Sequence, residues 1–201
     1  MTMMLRAKRV LLKPLKESDF ETWREVRLRC GEWLTQWEPL PPDGWGDPNG
    51  RRLFTSRCVA REHEARTGVA HSFGVFLDGR FIGESNLSGI QRGPIQTASI
   101  GYWIDKDVAG QGLIPEAVAA LFRFAFEDLG LHRIQISIVP RNTASLAVAH
   151  KLKLRHEGTA LRYIEINGVW EDHTIFALTF EDWIQTRRYY MDNLLLKLRS
   201  H

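Results

Sequence analysis

Ile100-Gly101-Tyr102-Trp103-Ile104-Asp105, then Ala109-Gly110-Gln111-Gly112-Leu113, then Pro115-Glu116-Ala117 set a strand, a double-glycine turn and a helix start in direct succession. Ala98 to Ile104 is rich in aromatic and β-branched residues and reads as the strand. From Leu113 onward the helix is the clearest in the chain. Ile114, Val118, Leu121, Phe122, Ala125 and Leu129 share one face at helical spacing. Pro115 suits a first turn, where its missing N–H is not needed, and Gly130 ends the run. Gly110 and Gly112 let a ligand come close to the backbone, while the free N–H groups of the helix start point outward. That combination makes an anion site. A plain strand-to-helix turn is the other reading of two glycines. A P-loop is excluded because no G-x-x-x-x-G-K-[ST] run occurs. A dinucleotide fingerprint is excluded because Pro115 stands where its third glycine belongs.

Downstream, His132 to Val139 alternates Ile134, Ile136 and Ile138 as a strand. Asn142 caps a helix reaching about Leu152. Tyr163 to Ile166 and Thr174 to Thr179 flank the hairpin signal Asn167-Gly168. Upstream, Val10 to Leu15 is a short strand, with Pro14 at its edge or end. Ser18 and Asp19 offer caps to a helix carrying Phe20, Trp23, Val26 and Cys30 that ends at Gly31. Glu38 to Gly50 holds four prolines and three glycines and is a loop, with Trp37 and Trp45 at or near it. Those tryptophans either pack the loop down or line a substrate path. Arg51 to Arg66 is a second helix closed by Gly68. His71 to Leu77 and Phe81 to Ile90 form a hairpin about Asp78-Gly79. The order β-α-α-β-β-β-α-β-α-β-β, followed by a C-terminal helix, mixes hairpins with crossovers. The expected class is α/β (α+β), with a mixed central sheet flanked by helices.

The chain has 201 residues, 44% hydrophobic and 25% charged, which suits one domain with a full core. Net charge is +3 and the pI near 9.0. That is short of the clustered basic face of a nucleic-acid binder, so no direct nucleic-acid partner is expected. Cys30 and Cys58 have neither metal spacing nor a disulfide framework, so no metal and a reducing compartment are expected. Neither a signal peptide nor a long apolar run is present, and a cytoplasmic protein with no membrane partner is expected.

The quoted string resembles the acetyl-CoA motif of GNAT acetyltransferases. His132-Arg133-Ile134, Asn142-x-x-Ser145, Lys151-Leu152 and Ile166-Asn167-Gly168-Val169-Trp170-Glu171-Asp172-His173 are similar to the ribosomal-protein N-acetyltransferase (RimJ/RimL-like) branch. The resemblance runs from about Val10 to Trp183 and implies the GNAT acyl-CoA N-acyltransferase fold, with acetyl-CoA as acetyl donor. It implies that the backbone of Trp103 and Ile104 pairs with the pantetheine arm. Amides of Gly110, Gln111, Gly112, Leu113 and Ile114 cradle the pyrophosphate, Asn142 bonds the pantetheine, and Ser145 stands near the thioester sulfur. Three positions depart from the pattern. Asp107 replaces a usual Gln or Arg and has to point away from a pyrophosphate. Pro115 replaces a common Thr. Lys151-Leu152-Lys153-Leu154 lacks the glycine that usually closes the helix.

Attack by the amine is expected to be direct, since neither cysteine lies near the motif. Glu84, on the strand beside Trp103 and Ile104, is the candidate base; a solvent-facing strand residue is its other reading. Ser145 is the candidate acid toward the thiolate, or else a first-turn serine bonding its own backbone. Asp172 and His173 point to opposite faces of a strand and form no dyad. His150 is expected to be exposed. The acceptor implied is a protein N-terminal α-amine. A small amine (aminoglycoside, polyamine or amino acid) and a non-catalytic acyl-CoA-binding protein are the alternatives.

The domain is expected over residues 1–182, with 183–201 as a helical extension. Ile184, Met191, Leu194, Leu195 and Leu198 form an apolar stripe there, widened by Trp183 and Tyr190. That stripe has to pack on its own domain, on a second copy as a homodimer, or on a membrane, and the modest basic charge makes the last the weakest.

Overall fold

The structure is a computed structural model, and it describes residues 3–42, 44 and 46–195. Trp45 and Leu198 lie outside the described residues. The first strands are β1 (Leu5–Arg6) and β2 (Val10–Lys13). Helices α1 (Phe20–Thr35) and α2 (Arg51–Thr67) follow, then β3 (His71–Leu77), β4 (Arg80–Gln91) and β5 (Thr97–Ile104). Helix α3 (Leu113–Arg123) leads to β6 (Arg133–Ile138) and α4 (Thr143–Lys151). Strands β7 (Arg155–Ile166) and β8 (Val169–Thr179) form a hairpin, and α5 (Phe180–Asn193) closes the chain.

The strands make one eight-stranded sheet in the order β1-β2-β3-β4-β5-β6-β8-β7. Every pairing is antiparallel except β5–β6, which is parallel and covers only Thr97↔Arg133, Ala98↔Ile134 and Ser99↔Gln135. Beyond Ser99 the two strands part, although β5 runs on to Ile104 and β6 to Ile138. The sheet therefore opens into two wings. Helix α3 is buried along almost its whole length, as its apolar run requires, and its final turn widens to a π turn over Phe124–Asp128. A large core packs α3, α4 and α5 on one face of the sheet. On the other face, Phe20, Trp23, Phe54, Phe76 and Phe81 form a smaller core under α1 and α2.

Helix α1 does not stop at Gly31. The backbone breaks there (φ 15°, ψ −109°) and resumes for one more turn, which carries Trp33 and Leu34 to the parting of the strands. At the end of α4, Lys153 itself takes the left-handed position (φ 53°) that the absent glycine would fill. Its ammonium lies 4.0 Å from the centre of the Tyr189 ring.

The expected boundary after Asp182 falls inside the first turn of α5, whose cap is a Thr179–Asp182 capping box. No separate extension exists over the described part of this helix. Trp183, Tyr190, Leu194 and Leu195 are buried in the main core, and Met191 packs against it. Tyr190 donates to the carbonyl of Leu152, and Lys8 N–H donates to that of Leu194. Four large apolar side chains satisfied within their own domain are not available to a second copy. Of the expected stripe, only Ile184 stands exposed among the described residues. No helix among the described residues is long and apolar enough to cross a membrane.

Candidate active site

The parting of β5 and β6 forms a cleft of about 910 Å³. The alternation of an antiparallel ladder decides which groups face it. Asp105 N–H donates to the Ile82 carbonyl on β4, and Glu84 pairs with Trp103 two residues along. Backbone groups of successive strand residues point to opposite edges. Trp103 therefore turns its N–H and C=O to β4, whereas Tyr102 and Ile104 present theirs to the gap. Two observations agree with this. A Cβ built on Gly83 of β4 would meet the Trp103 carbonyl oxygen at 2.2 Å. From the other side, Trp33 Nε1 donates to the Ile104 carbonyl at 3.3 Å. Of the expected pair Trp103 and Ile104, only Ile104 turns its backbone toward the cleft, where its N–H faces a ligand while its carbonyl accepts from Trp33, and its companion is Tyr102. The Trp103 side chain faces the other core, edge-on to Phe81.

The turn after β5 has the predicted form. Gly110 and Gly112 both adopt φ 77°, and Gly112 is the N-cap of α3. The amides of Gly112, Leu113 and Ile114 thus begin a helix with no side-chain cap. Two cations stand over this spot. A Cβ on Gly112 would lie 2.8 Å from Lys151 Nζ and 3.7 Å from Arg9 Nη2. Arg9 is fixed there: Nη2 donates to the Gln111 carbonyl at 2.9 Å, and Nε donates to the buried carboxylate of Glu116 at 2.7 Å. Lys151 has no ion-pair partner among the described residues. Sequence reading alone did not bring in Arg9, because its partner lies 107 residues away.

Asp107 points away from the glycine turn and pairs with Arg29 of α1 at 3.0 Å. Beneath it, Asp105 is fully buried; it accepts from the Asp107 backbone and pairs with Arg29 and Arg80. Cys30 does lie near the motif, contrary to the sequence reading. Its sulfur accepts from Lys106 N–H at 3.4 Å. Burial raises the thiol's pKa, and the residue is 1% exposed, so it is poorly placed as an acyl carrier.

Ser145 and Asn142 come together at the start of α4, where Asn142 Oδ1 accepts from Ser145 N–H at 3.0 Å. The Tyr102 hydroxyl reaches the Ser145 carbonyl at 3.4 Å, and burial pushes that phenol's pKa up to about 12. It stays protonated at any physiological pH.

Glu84 is neither solvent-facing nor free. It is 1% exposed and accepts from Trp23 Nε1 at 2.8 Å. Arg61 pairs with it at 2.7 Å and Arg57 at 3.2 Å. Burial alone raises its pKa, but the two guanidiniums and the indole outweigh burial, and the pKa ends below the ordinary glutamate value. These partners favour the ionised form and oppose the protonated one that a general base has to reach. His150 is exposed, and His173 is buried with Nδ1 3.0 Å from the Glu171 carbonyl oxygen.

The far end of the cleft is lined by Trp33, Trp37, Glu38, Asn86, Trp103 and Arg141. The loop after α1 is tied across this end to the β7–β8 hairpin. Asn167 N–H donates to the Glu38 carbonyl, Arg141 pairs with Glu171 at 2.6 Å, and its guanidinium lies over Trp37. Trp37 was singled out by the sequence; the break in α1 that delivers Trp33 was not.

The acetyltransferase (GNAT) domain model matches residues 9–155. The chain is 34% identical to a probable N-acetyltransferase, YjcK, of Bacillus subtilis, covering 89% of this chain and 98% of that one. It is 31% identical to the [ribosomal protein uS5]-alanine N-acetyltransferase of Escherichia coli, covering 84% and 88%. Among solved structures, Mycobacterium smegmatis RimJ in complex with CoA-disulfide superposes with a TM-score of 0.82 at 30% identity, covering 93% and 94%.

Proposed function

The chain belongs to the GNAT acetyltransferase family, and we propose that it transfers the acetyl group of acetyl-CoA to the N-terminal α-amine of a protein. The observation that supports this acceptor is the 31% identity to a ribosomal-protein alanine N-acetyltransferase over most of both chains. The donor fits the residues present. The edge of β5 at Tyr102 and the Ile104 N–H face a pantetheine arm, beside the Ile104 carbonyl that Trp33 holds, while the helix start at Gly112 with Lys151 and Arg9 offers a seat for phosphates. Bound acetyl-CoA supplies the thioester. The protein's residues hold it and bring the amine to it, so positioning carries the chemistry.

An α-amine has a pKa of about 7.7–8.0, against about 10.4 for lysine. Roughly a tenth is already neutral at pH 7, so a weak proton acceptor or a water path is enough. Glu84 then serves as a positioning residue that anchors α1 and α2 against β4. Ser145 is assigned as the donor to the departing thiolate, and Asn142 holds the start of α4 in place through its cap. Thiol release measured across N-terminal peptides, polyamines and aminoglycosides tests the acceptor. Turnover confined to polyamines or aminoglycosides overturns the α-amine reading.

Two further results are expected. Gly112→Val puts a β-branched residue at a left-handed φ and a side chain against Lys151 Nζ. Acetyl-CoA affinity should fall at least tenfold, about 1.4 kcal/mol, by calorimetry. Ser145→Ala should lower kcat with little change in acetyl-CoA affinity, whereas Asn142→Ala should chiefly raise the KM for acetyl-CoA. Steady-state kinetics separates the two, and full activity in both removes these roles.

A further inference from the structure

We propose that Glu38 is the carboxylate that receives the acceptor's ammonium group, with Trp33 and Trp37 as the walls of its seat. The proposal rests on the amine-acetylating reading above and adds the residue that selects a cationic acceptor.

The cleft is electrically lopsided. At its glycine end stand Lys151 and Arg9, suited to phosphates. At its opposite end, Glu38 is the only carboxylate among the described residues that line the cleft. The other charged side chain there, Arg141, is engaged by Glu171 and stacked on Trp37. Trp33 and Trp37 line the same end, and indole faces attract cations electrostatically. The Glu38 carboxylate and these two indoles are the groups of the cleft lining that favour an ammonium.

Glu38 is also held in place before any ligand arrives. Arg27 donates to both of its oxygens, from Nη1 at 2.6 Å and Nη2 at 2.7 Å. Asn167 N–H fixes its backbone carbonyl at 2.9 Å. Its side chain remains 30% exposed. A carboxylate has about four acceptor sites, so an Arg fork leaves capacity for a further donor. The fork fixes the rotamer, and the ammonium then binds a rigid partner. Glu84 does not fill this role, being buried beneath Trp23 and two arginines. Glu38 escaped sequence reading because it sits in a proline-rich loop with no periodicity, and only the fold brings that loop to the cleft.

The test uses full-length protein and Glu38→Gln, which keeps the side chain's size and an acceptor for Arg27. Kinetics are measured on the amine best acetylated in the acceptor screen, from pH 6 to 9. Calorimetry compares that amine with its analogue carrying a hydroxyl in place of the amino group. The acceptor KM should rise about tenfold, as for loss of one charge-assisted contact, with the acetyl-CoA KM within about twofold of the parent. The loss should be larger at pH 6 than at pH 9, where more of the amine is neutral. The parent protein should bind the amine more tightly than the hydroxyl analogue, and the variant should bind them alike. An equal loss for amine and hydroxyl analogue would mean a structural role and would overturn the proposal, as would unchanged acceptor affinity. If the screen selects a small amine in place of a protein N-terminus, the α-amine reading fails while the Glu38 assignment is still tested on that amine.

Discussion

Ending the chain after Asp182 is expected to abolish folding. The cut removes Trp183, Tyr190, Leu194 and Leu195, which are 0%, 0%, 4% and 3% exposed. Fully burying one large apolar side chain contributes about 1.5–3 kcal/mol. Four of them together amount to roughly 6–12 kcal/mol, comparable to the whole stability of a domain of this size. The cut also strips the bonds from Tyr189 and Tyr190 to the carbonyls of Lys151 and Leu152, which steady the end of α4 beside the phosphate seat. Circular dichroism of the truncated chain should show loss of the cooperative transition. A folded truncated protein that still binds acetyl-CoA would show that α5 is dispensable.

The second large effect belongs to Glu84→Ala. Removing one member of a buried ion pair leaves uncompensated charge in place, at about 3–5 kcal/mol. Here two guanidiniums and the Trp23 indole would lose their acceptor together. Denaturant unfolding should show the whole drop. Glu84→Gln keeps an acceptor for Trp23 and should fall between. The pH dependence has a definite sign. The native pKa of Glu84 is lowered, so its contribution is present at neutral pH. It fades as pH falls from the ordinary glutamate value toward the lower native one. Loss of turnover in Glu84→Gln with unchanged stability would instead assign Glu84 to proton transfer.

What the sequence disclosed and what it hid divide along physical lines. The strand to Ile104, the turn at Gly110 and Gly112 and the face of α3 are set by local periodicity and by glycine's backbone freedom, so they could be read directly. The cap from Asn142 to Ser145 was equally local. Strand β7 begins at Arg155, eight residues before its expected start, because exposed polar residues with two register shifts leave no alternation to read. Partners far apart in sequence were invisible, as with Arg9 and Glu116, or Glu84 with Trp23. The stripe on α5 was legible, but periodicity gives the face of a helix and not what covers it. The side of β5 that meets the cleft could be decided only once the Asp105–Ile82 bond had fixed the ladder's phase.

That phase has a consequence for the lifetime of the protein. A strand with unpaired amides and carbonyls normally invites neighbouring chains to add on and aggregate. Here the unpaired stretch of β5 lies in the fork between the wings, screened by Trp33 from one side and by α4 from the other. A neighbouring molecule's sheet cannot reach it, but a slender chain can. Whatever occupies the fork in an extended form binds the native state alone, and it should protect the protein against unfolding in proportion to the logarithm of its concentration. A cell rich in such a ligand would hold more of this protein intact than a starved one, with no change in its synthesis.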